Sequence, residues 1–74
     1  MTKFKKGDEV WWIDYCYKWK VVGLDKYSYY YGKIHKDITE QVCLKMTGLV
    51  NARDCFATKA EAQKECERRN GNKN

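Results

Sequence analysis

Four cysteines and one histidine are the side chains in this sequence best suited to bind a metal or attack a substrate. They are Cys16, Cys43, Cys55, Cys66 and His35. No two cysteines lie within ten residues of each other, whereas structural zinc sites use close pairs such as C-x2-C. A zinc site assembled from four separate elements stays open as an alternative, as do disulfides in an oxidising compartment. We expect reduced thiols that pack mostly as small apolar side chains, and no metal or cofactor.

The sequence carries no motif for catalysis. A glycine-rich phosphate loop and the HExxH of zinc proteases are both absent. Cysteine–histidine catalysis would need His35 beside a thiol, and Cys43 could face it across neighbouring strands. The simpler interpretation is a surface histidine beside an inert thiol. The carboxylates are spread singly among lysines, which is typical of a solvated surface. We therefore expect no enzyme and no small-molecule substrate.

The 74 residues are enough for a single domain, 1–74, with a core built largely from aromatic rings. Ten of the eleven Trp, Tyr and Phe residues precede residue 32, so the N-terminal half supplies most of the large core side chains. The N-terminus lacks the apolar run of a signal peptide, and no segment is apolar enough to span a bilayer. We expect a cytoplasmic protein with no membrane partner.

Residue patterns predict a mainly β fold of about five strands. Residues 9–14 have apolar groups on both faces, so this strand is either central or covered on its outer side. A bend at 15–17 precedes an alternating segment in which Trp19 and Val21 share one face and Lys18 and Lys20 the other. We expect a turn at 25–28. The other predicted strands are 18–22, 29–36, 40–46 and 49–52.

Alternation assigns the faces of the later strands. Tyr30, Gly32 and Ile34 share one face of 29–36, and Tyr29, Tyr31, Lys33 and His35 share the other. The interior glycine of this strand is typical of a bulge or a sharp bend. In 40–46 we expect Val42, Leu44 and Met46 to point inward.

A single helix over 58–69 closes the predicted fold. Thr58 and Glu61 have the spacing of a capping box, and strong helix formers follow. Ala62 and Cys66 form a small face one turn apart, which needs a large partner such as a Trp of the first strand. Such packing would explain why two adjacent positions of this strand, Trp11 and Trp12, can both carry apolar residues. We expect a frayed tail at 70–74.

Three segments resemble those of small SH3-like barrels. The opening 4–11 resembles the "KxGDxV" turn that enters the first barrel strand, and 32–34 resembles the "GxV" of KOW-type domains, with Ile34 in place of Val. Residues 54–62 are similar to a "DxFxTKEEA" ending of short uncharacterised phage, prophage and Firmicute proteins, with a departure at Ala60. The resemblance implies an SH3-like barrel followed by one C-terminal helix. Such barrels bind nucleic acid, peptides or other proteins.

The charge distribution supports one binding hypothesis, for nucleic acid. Residues 1–36 carry eight Lys and four acids, a balance of +4, whereas residues 37–74 balance at +1. The excess positive charge therefore coincides with the aromatic half. Rings stack on bases and lysines contact phosphates in proteins that hold single strands. The candidate residues are Tyr29, Tyr31, Lys33 and His35, with Lys18 and Lys20 nearby.

The aromatic segment itself supports the preferred hypothesis, a non-catalytic module that binds a protein partner or a second copy of itself. Tyr and Trp are common interface anchors, and rings exposed together typically mark a contact surface. Tyr15, Tyr17, Trp19, Tyr27 and Tyr29 crowd this part of the chain. A phage accessory protein would act in this way. The predicted binding residues are Tyr29, Tyr31, Lys33, His35, Lys18, Lys20, Trp19 and Tyr17.

Overall fold

The computed structural model describes residues 4–34 and 39–71, which fold into five antiparallel strands and one helix. They are β1 (Glu9–Cys16), β2 (Lys18–Ile34), β3 (Thr39–Leu44), β4 (Gly48–Asn51), β5 (Cys55–Phe56) and α1 (Lys59–Gly71), with a 3₁₀ turn at Ala52–Asp54. The strand order is β4-β3-β2-β1-β5. The prediction of a mainly β fold with five strands and a C-terminal helix is confirmed. The sheet does not close into a barrel, because β4 and β5 lie at opposite edges of the described sheet.

Strand β2 is continuous over 17 residues, so the predicted turn at 25–28 is wrong. Its first half pairs with β1 and its second half with β3. The registers leave Val22, Ser28 and Tyr31 as extra residues on β2, each at a bulge. Bulges bend a strand and increase its twist, which lets one strand serve two halves of a sheet. The polar residues that suggested a turn lie within this bent strand.

Asp25 belongs to the predicted turn, but its side chain instead bonds the turn between β3 and β4. Its buried carboxylate accepts hydrogen bonds from the Thr47 hydroxyl at 2.7 Å and from the Thr47 and Met46 N–H groups at 2.8 and 3.1 Å. It therefore stabilises the turn between β3 and β4. Burial would raise the pKa of Asp25, but hydrogen bonds from Thr47, Lys26 and Met46 outweigh burial and lower the pKa.

Asp25→Asn is expected to lower the free energy of unfolding by about 1–2 kcal/mol at pH 7, since the charged acceptor is lost. A depressed pKa stabilises the fold above the unfolded value near 3.9, and this contribution disappears as pH falls through the folded value. Urea denaturation at pH 7 and pH 2.5 should show the difference between wild type and variant shrinking in acid. A difference that grows in acid would contradict the role assigned to the carboxylate.

The first core lies between the two halves of the bent sheet. Its buried side chains are Val10, Tyr27, Val42, Leu44 and Cys55, and Trp12 packs against them. Val42 and Leu44 are inward as predicted. Met46 is 83% exposed because β3 ends at Leu44 and the chain turns there, so the prediction for Met46 is wrong.

The second core lies on the other face of β1, beneath α1. Ile13, Ala62 and Cys66 are buried there, and Trp11, Trp19, Val21 and Phe56 pack around them. The small face of the helix thus meets a Trp of the first strand, as predicted. Trp11 and Trp12 point to opposite sides of β1, one into each core, which explains why both faces of this strand are apolar.

Helix α1 begins where the capping residue indicates. The Thr58 Oγ1 accepts a hydrogen bond from the Glu61 N–H at 3.1 Å. The helix continues to Gly71, two residues beyond the predicted end. Asn70, which we assigned to the frayed tail, lies in the last turn and is bonded to β2. No helix in the described ranges is both long and apolar enough to cross a membrane.

Candidate binding groove

The predicted binding residues separate into two groups on β2. Trp19, with Lys18, Lys20 and the preceding Tyr17, lies at the β1–β2 hairpin, whereas Tyr29 and Tyr31 lie in the second half of the strand. Ten residues separate Trp19 from Tyr29, roughly 33 Å along the strand. His35 lies outside the described residues. The structure therefore does not bring all the predicted residues into one site.

The second group is an exposed tyrosine face. Tyr29 and Tyr31 are 52% and 58% exposed, and Tyr29 lies opposite Cys43 in the register. A hydrogen bond between the Tyr29 hydroxyl and the Cys43 thiol raises the pKa of Tyr29. The bulge at Tyr31 interrupts the predicted alternation. As a result the backbone of Gly32 is opposite Gln41, and that of Lys33 is opposite Glu40.

Lys18, Trp19 and Lys20 of the first group, but not Tyr17, line one wall of a groove between β2 and α1, with a volume of about 510 Å³. Its lining residues are Trp11, Lys18, Trp19, Lys20, Val21, Val22, Gly23, Lys59, Gln63, Cys66, Glu67 and Asn70. The helical members recur at the spacing of one helix face. Sequence reasoning missed this wall, although the small face at Ala62 and Cys66 indicated which side of the helix meets the sheet.

Trp19 is held in place on three sides. Its ring meets the Tyr15 ring edge-on, with centroids 5.5 Å apart. The Arg69 guanidinium lies 4.5 Å above the Trp19 ring centroid. The Asn70 side chain accepts from the Trp19 N–H at 2.8 Å and donates to the Trp19 carbonyl at 3.0 Å. The Trp19 ring is thus held by Tyr15 and Arg69, and the Trp19 backbone by Asn70.

Arg69 connects this end of the groove to the rest of the molecule. Its guanidinium bonds Asp54 at 2.9 Å and Glu65 at 2.7 Å, and it also donates to the Arg53 carbonyl. Hydrogen bonds from Arg68 and Arg69 lower the pKa of Glu65 to about 2. Burial acts to lower the pKa of Arg69, but its bonds to Glu65 and Asp54 outweigh burial and raise it. The last turn of α1 is therefore tied both to the 3₁₀ turn and to the hairpin.

The charges along the groove are mostly positive. Lys18, Lys20 and Lys59 line it, with Glu67 as the one acid among its lining residues. The Lys59 ammonium lies 5.6 Å from the Trp11 ring centroid, close enough for a cation–π interaction. The groove therefore combines fixed indole rings with an excess of cations, a combination that suits an anionic or carboxylate-bearing ligand.

Tyr17 forms the tip of the β1–β2 hairpin in a strained conformation. Its φ is +69°, and its side chain is 95% exposed. A bulky residue rarely adopts this region, which costs roughly 1–2 kcal/mol relative to the right-handed one. The fold thus holds an aromatic ring in solvent at a position where glycine would be less strained.

Tyr17→Gly is expected to raise the free energy of unfolding by about 0.5–1 kcal/mol, since glycine adopts positive φ without the side-chain clash. The matched control, Tyr17→Ala, removes the same ring but keeps the clash, so its stability should match wild type within about 0.5 kcal/mol. Thermal and urea denaturation of the three proteins measure this. Equal stabilisation by Gly and Ala would mean that the exposed ring, and not the backbone, is responsible.

The cysteines lie at four separate places and form no disulfide. Cys55 and Cys66 are buried, Cys43 is partly buried and Cys16 is exposed. Burial raises the pKa of the Cys66 thiol, which keeps it protonated and unreactive. Within 4–34 and 39–71, no three His, Cys, Asp or Glu side chains cluster as metal ligands.

Comparisons with known proteins give no relative to set beside this geometry. No family model matches the chain. No curated protein and no solved structure matches it either.

Proposed function

We propose that this protein is a non-catalytic protein-binding module whose partner occupies the groove between β2 and α1. The observation that carries the proposal is a concave, partly apolar surface where Trp11 and Trp19 are already fixed. Trp is enriched among the residues that dominate binding energy, and rings fixed in advance lose little entropy on binding. The groove also falls within the volume range of ligand sites.

The proposed fold is a partly open SH3-like barrel with an added helix. Three features support it: the sharply bent β2 shared by two halves of the sheet, the short 3₁₀ turn before β5, and the pairing of β5 with β1. In this arrangement α1 covers the outer face of β1 and creates the groove beside it. A fold of this kind does not by itself fix the ligand.

Selection from a random peptide library displayed on phage tests the proposal. We expect enriched peptides whose binding shifts the backbone amide NMR signals of the groove residues. Gln63→Trp fills the groove from the exposed side of α1 and should weaken these peptides at least tenfold. Lys64→Trp, on the same helix but outside the groove, is the matched control and should leave their affinity unchanged.

Three results would contradict a protein-binding groove. One is the absence of any enriched peptide. The second is a set of NMR shifts confined to Tyr29 and Tyr31. The third is equal weakening by Gln63→Trp and Lys64→Trp, because a general disturbance of the helix would then account for the loss.

Single-stranded nucleic acid is the second candidate ligand, and the exposed rings of Tyr29 and Tyr31 favour it. Titration with a dT12 oligonucleotide at 50 and 200 mM salt separates the two candidates. Binding to phosphates should weaken steeply as salt rises, because counterions are released. Absence of dT12 binding at 50 mM salt would eliminate this candidate.

A further inference from the structure

The first half of β2 has a hydrogen-bonded strand on one side only. Residues 18–26 pair with β1, whereas pairing with β3 starts at Tyr27, opposite Leu44. The last backbone bond on the β3 side joins the Lys45 N–H to the Lys26 carbonyl at 2.8 Å. From there back to the hairpin, β2 has an open edge with no neighbouring strand in the described part of the chain.

The backbone groups along this edge have a known direction. The Trp19 N–H and carbonyl both face the Asn70 amide, so they point away from β1. The Lys26 carbonyl also points away from β1, toward Lys45. Because the backbone groups of successive residues in a strand point to alternate sides, the N–H and carbonyl groups of Val21 and Leu24 also point away from β1. Val21 and Leu24 are three positions apart, and not two, because Val22 is the extra residue of a bulge.

Asn70 shows how the edge accepts a partner. Its side-chain amide presents a carbonyl and an N–H to Trp19, as one peptide unit of a neighbouring strand would. Asn70 bonds Trp19 only. Further along the same edge, the backbone groups of Val21 and Leu24 have no such partner among the described contacts. Val22 and Leu24 are 51% and 47% exposed, so the edge is open to solvent.

The edge and the groove coincide. Residues 18–23 supply one groove wall and α1 the other, so a strand lying along the edge would place alternate side chains against Trp11 and the helix. Lys59 lies on the helix wall, and Lys18 and Lys20, which alternate with Trp19 and Val21, flank the same edge on the other face of β2. Lysines and a bulge are also the usual devices that prevent indiscriminate pairing at an exposed edge.

We propose that the groove binds an extended, acidic peptide segment of a partner protein, which adds as a strand to the β2 edge at Val21–Leu24. Backbone hydrogen bonds to Val21 and Leu24 supply affinity, and contacts of carboxylates with the lysines supply selectivity. A second copy of this chain pairing edge to edge would bring its own Lys18 and Lys20 against the same lysines, so charge disfavours self-association here. This inference rests on the proposed function and specifies its partner class.

Random eight-residue peptides displayed on phage are the probe, followed by synthesis of the enriched sequences. We expect these sequences to carry net negative charge. On binding, hydrogen exchange of the Val21 and Leu24 amides should slow at least tenfold. N-methylation along the peptide should weaken binding at every second position, because only alternate N–H groups of an added strand bond the edge.

Charge reversal tests the selectivity. The double variant Lys20→Glu, Lys59→Glu should weaken the enriched peptides about tenfold. Lys64→Glu, outside the groove, should have no effect beyond about twofold. Circular dichroism confirms that both variants fold, and all three lysines are exposed, so the comparison does not depend on the core.

The possible results distinguish a failure of strand addition from a failure of the protein-binding groove. Enriched peptides that are neutral or basic, bind as helices, or leave Val21 and Leu24 exchange unchanged would overturn strand addition while keeping a protein-binding groove. Enrichment of no peptide would overturn both. Saturable dT12 binding that slows exchange at the groove would favour nucleic acid and overturn the peptide proposal.

Discussion

Trp12→Ala is expected to lower the free energy of unfolding by about 3–5 kcal/mol, the largest single effect in this molecule. The Trp12 ring is partly buried and packs against the first core, whose buried members other than Tyr27 are small or medium side chains. Removing an indole there leaves a large space in the core. A small domain has only about 5–10 kcal/mol of stability, so the variant would be largely unfolded near physiological temperature.

Urea denaturation followed by circular dichroism measures this loss. Tyr17→Ala is the control, since it removes an aromatic ring of similar chemistry from an exposed site and should change stability by less than about 0.5 kcal/mol. If both variants lost the same free energy, the division into a ring packed against the core and a ring exposed to solvent would be wrong.

Arg69→Ala is expected to cost about 2–4 kcal/mol, because it leaves the buried Asp54 carboxylate without its partner and removes one of the two arginines that bond Glu65. Asp54 is buried, Glu65 is only partly exposed, and both bond the same guanidinium. The Trp19 ring loses its cation at the same time. Arg69→Lys should recover less than half of the loss, since an ammonium cannot bond both carboxylates in the planar geometry of Arg.

The pH dependence supplies an independent check on Arg69. Because the folded pKa of Glu65 is depressed to about 2, its stabilising contribution is present above the unfolded pKa near 4.3 and disappears as pH falls toward 2. Wild type should therefore lose stability over this interval more steeply than Arg69→Ala. The bonds from Arg68 to Glu65 remain in the variant, so only the share of this slope that Arg69 supplies should disappear. Parallel pH profiles would show that Arg69 contributes little to it, whatever the loss at pH 7.

The elements with strong local signals could be predicted from the sequence. The apolar residues on both faces of β1 require cover on both sides, and the small face at Ala62 and Cys66 requires a large partner. The small face of α1 covers one side of β1, and Trp11 of β1 is the large residue that packs against that face. Thr58 fixes the start of α1 because a side-chain cap is a local interaction.

The parts that could not be predicted depend on distant residues. Asp25 resembles a turn residue, but it bonds Thr47, 22 positions away, and nothing near Asp25 in sequence indicates this. The bulge at Tyr31 shifts the backbone register of β2 against β3 by one position from Gly32 onward, an effect that strict alternation misses. The groove depends on where α1 lies relative to β2, which is fixed by the Asn70 contact.

The way α1 joins the molecule makes the proposed binding groove easy to re-engineer. The helix contributes only Ala62 and Cys66 as buried side chains, whereas its groove-lining positions 59, 63 and 67 are exposed. If a partner binds in the groove as proposed, substitutions at these three positions are expected to alter ligand preference with little cost to folding. A library randomised there alone could retarget this scaffold, and natural divergence has the same freedom.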